Sequence, residues 1–407
     1  MTHIEDKFAR LGTDHAPGQE VRQTSEGLDR FAKGEKLEGR LVDFSHGDVN
    51  EEAFSPTPGA LDEFVAGVRR GGSQAYTEYR GGAELREALA QRLSRFVGFP
   101  VSAATDLIVT PGTQGALFLA IASCVSAGDK VAIVQPDYFA NRKLVEFMGG
   151  KIVPVQTRYL DVTEKSGLDL AALEQAFVQG ARVFLFSNPC NPTGVIYSAA
   201  EIAAIAALAG RFGVTVVVDQ LYSRLLYPGR TYTHFGAHRG AVENLITIMG
   251  PSKTESLSGY RLGVGFGTPR LIERMEKLQA IVSLRAPGYS QAALRTWFAE
   301  PLGWMEDRVA KHAVIRDSLV KKFCQVRGLS IRSPEAGSYV FPRMPELSVP
   351  LHAFVQLLKH QANVIVTPGT EFSPHALQSI RLNFSQNAEA TSAAVDRTVA
   401  LIERYRA

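Results

Sequence analysis

At 407 residues the chain is too long for one ordinary compact core, which predicts a large layered domain with a smaller companion. Its 44 Lys+Arg against 41 Asp+Glu give a formal net charge of +3, a balance that supports neither a nucleic-acid partner nor a membrane surface. Cys124, Cys190 and Cys324 are scattered and support neither a disulfide framework nor a zinc site. With a mixed-charge N-terminus and no long apolar run, the sequence predicts a cytoplasmic protein.

In chain order, "DLIVTPG" predicts a strand that runs into the helix "TQGALFLAIASCVSAGD". "KVAIVQP" then precedes the helical "NRKLVEFMGG". "RVFLFSNP" follows, then an Ala-rich helix from Ser198 to Gly213, then "VTVVVDQ" and "NLITIMGPSK". Short Val/Ile/Phe-rich runs alternating with helices predict an α/β fold, a mostly parallel sheet with helices on both faces. Beyond residue 300 come a long amphipathic helix, "WMEDRVAKHAVIRDSLVKKFCQV", three short strand-like pieces, "GSYVFPRM", "NVIVTPG" and "SIRLNFS", and a closing helix. The division expected is a large domain over 56–300 and a smaller α+β domain from 1–55 and 301–407, because chain termini often meet.

Open α/β sheets bind ligands beyond the carboxyl ends of their strands. Gly112-Thr113-Gln114, Tyr138, Asn188 to Asn191, Asp219 and Ser252-Lys253 fall at such ends. Nucleotide signatures fail: Thr247 and Ser252 stand where a P-loop before Lys253 needs glycine, and Gly263, Gly265 and Gly267 form G-x-G-x-G inside a strand-like run. Taken alone, Lys253 in "GPSKTESLSGYRLGVGFG" reads as a solvated surface charge. "SNPCNPTG", Ser187 to Gly194, reads first as a rigid turn. Asp219 in "VVVDQLY" ends a strand that looks buried, where a carboxylate calls for a cationic partner.

The ordered set of these motifs, from "VDFSHGDVN" to "IRLNFSQ", resembles the pyridoxal-phosphate enzymes of fold type I, in the class I/II aminotransferase family that contains aspartate and aromatic aminotransferases. The resemblance implies a three-layer domain holding pyridoxal 5'-phosphate and a smaller domain closing over substrate. It implies that Lys253 forms the internal Schiff base with the cofactor aldehyde, while Ser252 and Arg261 hold its phosphate. Gly112, Thr113 and Gln114 would present the helix N-terminus to that phosphate. Asp219 would pair with the pyridine nitrogen, Asn191 and Tyr222 would hydrogen-bond the phenolic oxygen, and Tyr138, or its rival Phe139, would stack on the ring. Tyr76 would reach the phosphate of a neighbouring subunit, which implies a homodimer with shared sites.

For substrate, the resemblance implies Arg381 as the clamp on the α-carboxylate and Gly47 as a close backbone neighbour. Several positions depart from the commoner family residues: His46 stands beside Gly47, Gln220 stands beside Asp219, and Ser283 occupies the place of a second arginine, with Arg285 two residues away. His46 and Arg285 are candidates for side-chain contacts, and Gln114 stands where some bacterial members carry lysine. No metal is expected. The reaction implied is transfer of an amino group from an L-amino acid to a 2-oxo acid. The alternatives are another reaction on the same scaffold, such as β-elimination, decarboxylation or ring closure, or a non-catalytic regulator.

Overall fold

The computed structural model describes residues 28–47, 53–162 and 165–407. The N-terminal stretch up to residue 27, and Asp48 to Asn50 of "VDFSHGDVN", therefore lie outside the described residues.

After the short strand β1 (Val42–Asp43) come β2 (Leu107–Pro111), β3 (Lys130–Gln135), β4 (Lys151–Gln156), β5 (Ala181–Ser187), β6 (Thr215–Asp219), β7 (Leu245–Met249) and β8 (Leu262–Gly267). The last seven form one sheet in the order β2-β8-β7-β6-β5-β3-β4. Alternate residues of each strand go to opposite faces. Val131, Ile133, Val183, Leu185 and Val217 pack against helices Gly112–Cys124, Phe139–Phe147 and Pro269–Val282. Ala132, Val134, Phe184, Phe186, Val216 and Val218 pack against helices Leu170–Val178 and Ala199–Phe212. Because both faces are covered, the central strands read as continuous hydrophobic runs.

The Ala-rich helix starts on a capping box in which Ser198 and Glu201 exchange hydrogen bonds, and it stops at Gly213 in the left-handed conformation. The strand β4 is absent from the sequence reading for a physical reason. It lies at the sheet edge, carries Pro154, and buries only Val155, so it lacks the apolar run of its neighbours. The direction of β8 was also not legible: it runs antiparallel to both β2 and β7, which makes the sheet mixed.

A separate hydrophobic core gathers Val42, Phe44 and Phe54 with residues of 315–405. It contains β9 (Tyr339–Val340), β10 (Val364–Ile365), β11 (Thr367–Pro368) and β12 (Ile380–Asn383), with helices Trp304–Cys324, Leu351–Ala362 and Ala388–Tyr405. β1 pairs in parallel with β10, so an N-terminal segment does join the C-terminal one. β11, β12 and β9 form a small antiparallel sheet. Among the described residues no helix is long and apolar enough to cross a membrane.

Candidate active site

The carboxyl ends of β2, β3, β5, β6 and β7 open on one cavity of about 260 Å³. His46, Thr113, Gln114, Tyr138, Asn191, Asp219, Tyr222, Ser252, Lys253, Arg261 and Arg381 all line it, so residues scattered over the sequence meet at one place. The antiparallel β8 explains the spacing of the two cations in "SKTESLSGYR". Lys253 follows the carboxyl end of β7, and because the chain then reverses, Arg261 precedes β8 at the same end of the sheet.

Lys253 is half-buried in the cavity wall and makes no ion pair among the described residues. Arg261 stands against the start of helix Gly112–Cys124, where Gly112 has φ +77° and an added Cβ would lie 2.5 Å from Arg261 Nη2. Glycine at 112 thus permits both the turn and the close approach of the guanidinium. Gly263 performs the same service from β8, since a Cβ there would come within 2.4 Å of the Thr113 nitrogen. Arg261 Nη1 donates to the Ser258 carbonyl (2.9 Å), and Ser252 Oγ donates to that of Leu262 (3.3 Å). A cation, a hydroxyl and unpaired helix N–H groups converge here, the donor set a phosphate takes. Tyr138 donates from its hydroxyl to Gln114 Oε1 at 2.9 Å, and its ring meets Phe139 edge-on at 4.6 Å. Phe139 also lines the cavity.

Asp219 is buried, and burial pushes its carboxyl up to about 6, opposed by the hydrogen bond it accepts from the Leu221 N–H (2.9 Å). The cationic partner expected from the sequence is supplied by no side chain among the described residues. A protonated ring nitrogen would fill that role, so the carboxylate fits a pyridine cofactor. Close enough to feel its charge is a second buried carboxyl that sequence reasoning passed over: Asp137, which burial raises to about 7 despite hydrogen bonds from Ser187 and from the Tyr138 N–H.

Arg381, on β12, is buried and donates from Nη1 to Asn191 Oδ1 (3.1 Å) and from Nη2 to the Ser45 carbonyl (2.8 Å). Its Nε has no partner among the described residues. Asn191 uses its amide oxygen on Arg381, which leaves its NH2 free to donate. Tyr222 donates to the hydroxyl of Tyr339 at 2.7 Å, and Arg381 lies 4.4 Å over the Tyr339 ring. Tyr339 is a cavity residue the sequence did not single out. Finding it required the register that sets it opposite Asn383, on the same strand face as Arg381.

Four candidates, Gly112, Gly47, Tyr76 and Arg285, stand outside the cavity lining, and His46 is at its edge. Gly112 lies behind the cavity wall beside Arg261, and Gly47 packs against Ser385, where a Cβ would meet Ser385 Cβ at 3.3 Å. His46 lies at the mouth, with Nε2 3.4 Å from Asp43 Oδ2. Tyr76 and Arg285 are brought to each other rather than to this cavity: the guanidinium lies 5.0 Å over the Tyr76 ring and donates to the Thr77 carbonyl (2.6 Å), on an exposed face.

A seven-stranded mixed sheet between two helical layers, with a lysine and a carboxylate at its strand ends and an arginine from the smaller unit, defines an α/β transferase site of the pyridoxal-phosphate fold type I. The chain matches the model of the family "Aminotransferase class I and II" over residues 41–398, and it belongs to that family. It is similar to an aspartate aminotransferase of Rhodobacter sphaeroides, whose crystal structure superposes with a TM-score of 0.95 at 62% identity, covering 99% of this chain and 100% of that one. An aspartate aminotransferase of Musicola paradisiaca is 30% identical over 412 residues, 100% of this chain and 98% of that one. The Thermus thermophilus aspartate aminotransferase with maleate superposes with a TM-score of 0.82 at 25% identity, covering 96% and 98% of the two chains. The chain is a transaminase: its reaction moves an amino group.

Proposed function

We propose that this transaminase uses pyridoxal 5'-phosphate held on Lys253 and takes aspartate, or a closely related dicarboxylic amino acid, as donor. The observation that carries the cofactor assignment is the buried Asp219, a carboxylate with no cationic side chain among the described residues, facing the same cavity as Lys253. When bound, pyridoxal phosphate supplies an aldehyde that condenses with amines and a ring that accepts the electron pair left as the α-proton departs.

In this reading Arg261, Ser252 and the N–H groups of Gly112, Thr113 and Gln114 bind the phosphate. Asp219 keeps the ring nitrogen protonated, and Asn191 and Tyr222 donate to the phenolic oxygen. Tyr138 or Phe139 covers the ring face. Arg381 orients the α-carboxylate, so that the bond to be broken faces Lys253. Lys253 would hold the cofactor in the resting protein and, as a free amine, would take the α-proton of the donor as general base and then give up a proton as general acid. Residues 56–300 form the cofactor domain, and 1–55 with 301–407 form the domain that closes over substrate. The location proposed is cytoplasmic.

Aspartate is supported by the names of the Rhodobacter and Musicola proteins and by Arg285. Tyr76 (78% exposed), Ile281 (82%) and Leu284 (52%) leave an apolar face open beside that arginine. A homodimer built on this face would carry Tyr76 and Arg285 to the other chain's cavity, where Arg285 would meet the second carboxylate of the donor. The test is a panel of half-reactions: the absorbance of the cofactor-loaded protein is followed as single L-amino acids are added. Fast conversion by aspartate or glutamate is expected. Fast conversion by aromatic or basic donors alone would refute the dicarboxylate assignment, and ammonia with pyruvate formed without an acceptor would refute transamination.

A further inference from the structure

We propose that Tyr339 is a positioning residue for Tyr222: it donates a hydrogen bond to the Tyr222 oxygen, and so orients and strengthens the Tyr222 hydroxyl as donor to the cofactor's phenolic oxygen. The inference rests on the cofactor reading above and assigns a role to a residue outside it.

The two hydroxyl oxygens lie 2.7 Å apart and the rings meet edge-on, 5.3 Å between centroids and 80° between planes, so each fixes the other's direction. In this structure Tyr222 is the donor. A tyrosine carries one hydroxyl proton and can accept as well as donate. Once Tyr222 turns its proton to a cofactor oxygen, the 2.7 Å contact persists as a hydrogen bond only with Tyr339 as donor. The two hydroxyls then form a directional chain, and such chains polarise their members, which makes the terminal O–H a better donor.

The surroundings of Tyr339 suit it to that end of the chain. Asn383 and Arg381 face it from β12, Lys253 from the loop after β7, Tyr222 from the turn after β6, and Tyr138 from the turn after β3. Burial opposes ionisation of the Tyr339 hydroxyl. The positive charges of Arg381 and Lys253 oppose burial whichever hydroxyl donates, and hydrogen bonds from Tyr222 and Asn383 add to them in this structure, so the hydroxyl is held below the usual tyrosine range. A more acidic hydroxyl is a stronger donor. Tyr222 carries the opposite bias, raised by burial and by Tyr339 itself. Arg381 over the ring face, at 4.4 Å, and the β9–β12 register hold Tyr339 in place without recruiting its hydroxyl.

The test is a pH titration of the visible absorbance of the lysine-bound cofactor in the full-length protein, which reads a midpoint rather than turnover. A hydrogen bond donated to the phenolic oxygen favours the deprotonated chromophore, so Tyr222→Phe is expected to raise the midpoint. Tyr339→Phe, which keeps the ring beneath Arg381, should raise it in the same direction by a smaller amount. The double variant should sit where Tyr222→Phe alone sits. Tyr339→His keeps a ring and a donor and should return the midpoint most of the way, and it carries the comparison if the phenylalanine variant loses cofactor. An unchanged or lowered midpoint for both Tyr339 variants, or a double variant whose shifts add, would overturn the inference. Failure of the parent protein to form any lysine-linked chromophore would instead overturn the cofactor reading.

Discussion

Arg381 Nη1 donates to Asn191 Oδ1 at 3.1 Å, so the arginine of the small sheet and the asparagine after β5 are held as one unit across the cavity. The planar fork lets Arg381 keep this bond and its bond to the Ser45 carbonyl while still presenting charge to a carboxylate. Lysine supplies the charge without the fork. Arg381→Lys is therefore expected to raise KM for donor and acceptor alike by roughly 10- to 100-fold, the equivalent of one lost charge-assisted hydrogen bond of about 1.5–3 kcal/mol. Steady-state kinetics with several acids would show it. A KM increase confined to one side chain would mean that Arg381 reads the side chain and not the shared carboxylate.

The buried carboxyls give the cofactor-free protein a pH dependence with a definite sign. Asp219 is raised to about 6 and Asp137 to about 7 from an ordinary 3.8, in both cases chiefly by burial. A carboxyl whose folded pKa lies above its unfolded value contributes stability fully present below about pH 4, and that contribution is lost as pH rises through the folded value. Asp137→Asn removes the charge that forms on the way up. Its Tm relative to the parent should improve between pH 5 and pH 8, by an amount on the order of a few kcal/mol in stability if the group titrates fully. A Tm difference independent of pH would show that Asp137 does not titrate in this window. Loaded protein should show a weaker slope at Asp219→Asn, because a protonated ring nitrogen lowers the carboxyl it faces.

Legibility followed the physics of each residue. The central strands announced themselves because burial on both faces requires continuous Val/Ile/Phe runs, and the residues at their ends could be named before any geometry was known. Lys253, Asp219 and Asn191 are readable at strand ends for that reason, whereas Arg261 is named only through the family resemblance of "SKTESLSGYRLG". β4 was not, since an edge strand with Pro154 needs little apolar surface. The direction of β8 was not either, because hydrophobicity carries no sign for parallel or antiparallel pairing, yet that direction is what sets Arg261 beside the phosphate-type donors. Tyr339 required register, which depends on how β9 and β12 meet and not on "GSYVFPRM" alone. The lack of a cationic side chain at Asp219 among the described residues was equally invisible, since it depends on every surrounding element at once.

The glycines of β8 make a paired prediction. A Cβ at Gly263 would meet backbone, the Gly112 carbon at 2.5 Å and the Thr113 nitrogen at 2.4 Å, whereas at Gly265 it would meet the flexible end of Met275 at 2.9 Å. Side-chain tips yield and helix N-termini do not. Gly263→Ala should displace the start of helix Gly112–Cys124, destabilise by about 1–3 kcal/mol and weaken cofactor retention, while Gly265→Ala should retain cofactor. Dialysis of the loaded proteins followed by an absorbance measurement separates the two, and equal retention would mean that the helix start does not hold the phosphate.

The proposed exchange of residues between two chains can be tested by mixing. Tyr76 and Arg285 touch each other but line no part of their own chain's cavity, so a site that uses them must borrow them from a second copy. Lys253→Ala is expected to lose turnover by orders of magnitude while folding normally, because the amine proposed to transfer the proton is gone. Arg285→Ala should lose much of its rate with aspartate and little with a monocarboxylic donor. In a mixed dimer, one cavity receives Lys253 from the second variant and Arg285 from the first, and the other cavity receives neither. Unfolding, mixing at equal concentration and refolding together should then restore aspartate activity to about a quarter of the parental level, since half the dimers are hybrid and each has one whole site. If Arg285 served the cavity of its own chain, mixing would restore nothing beyond the activity the Arg285→Ala chains already have.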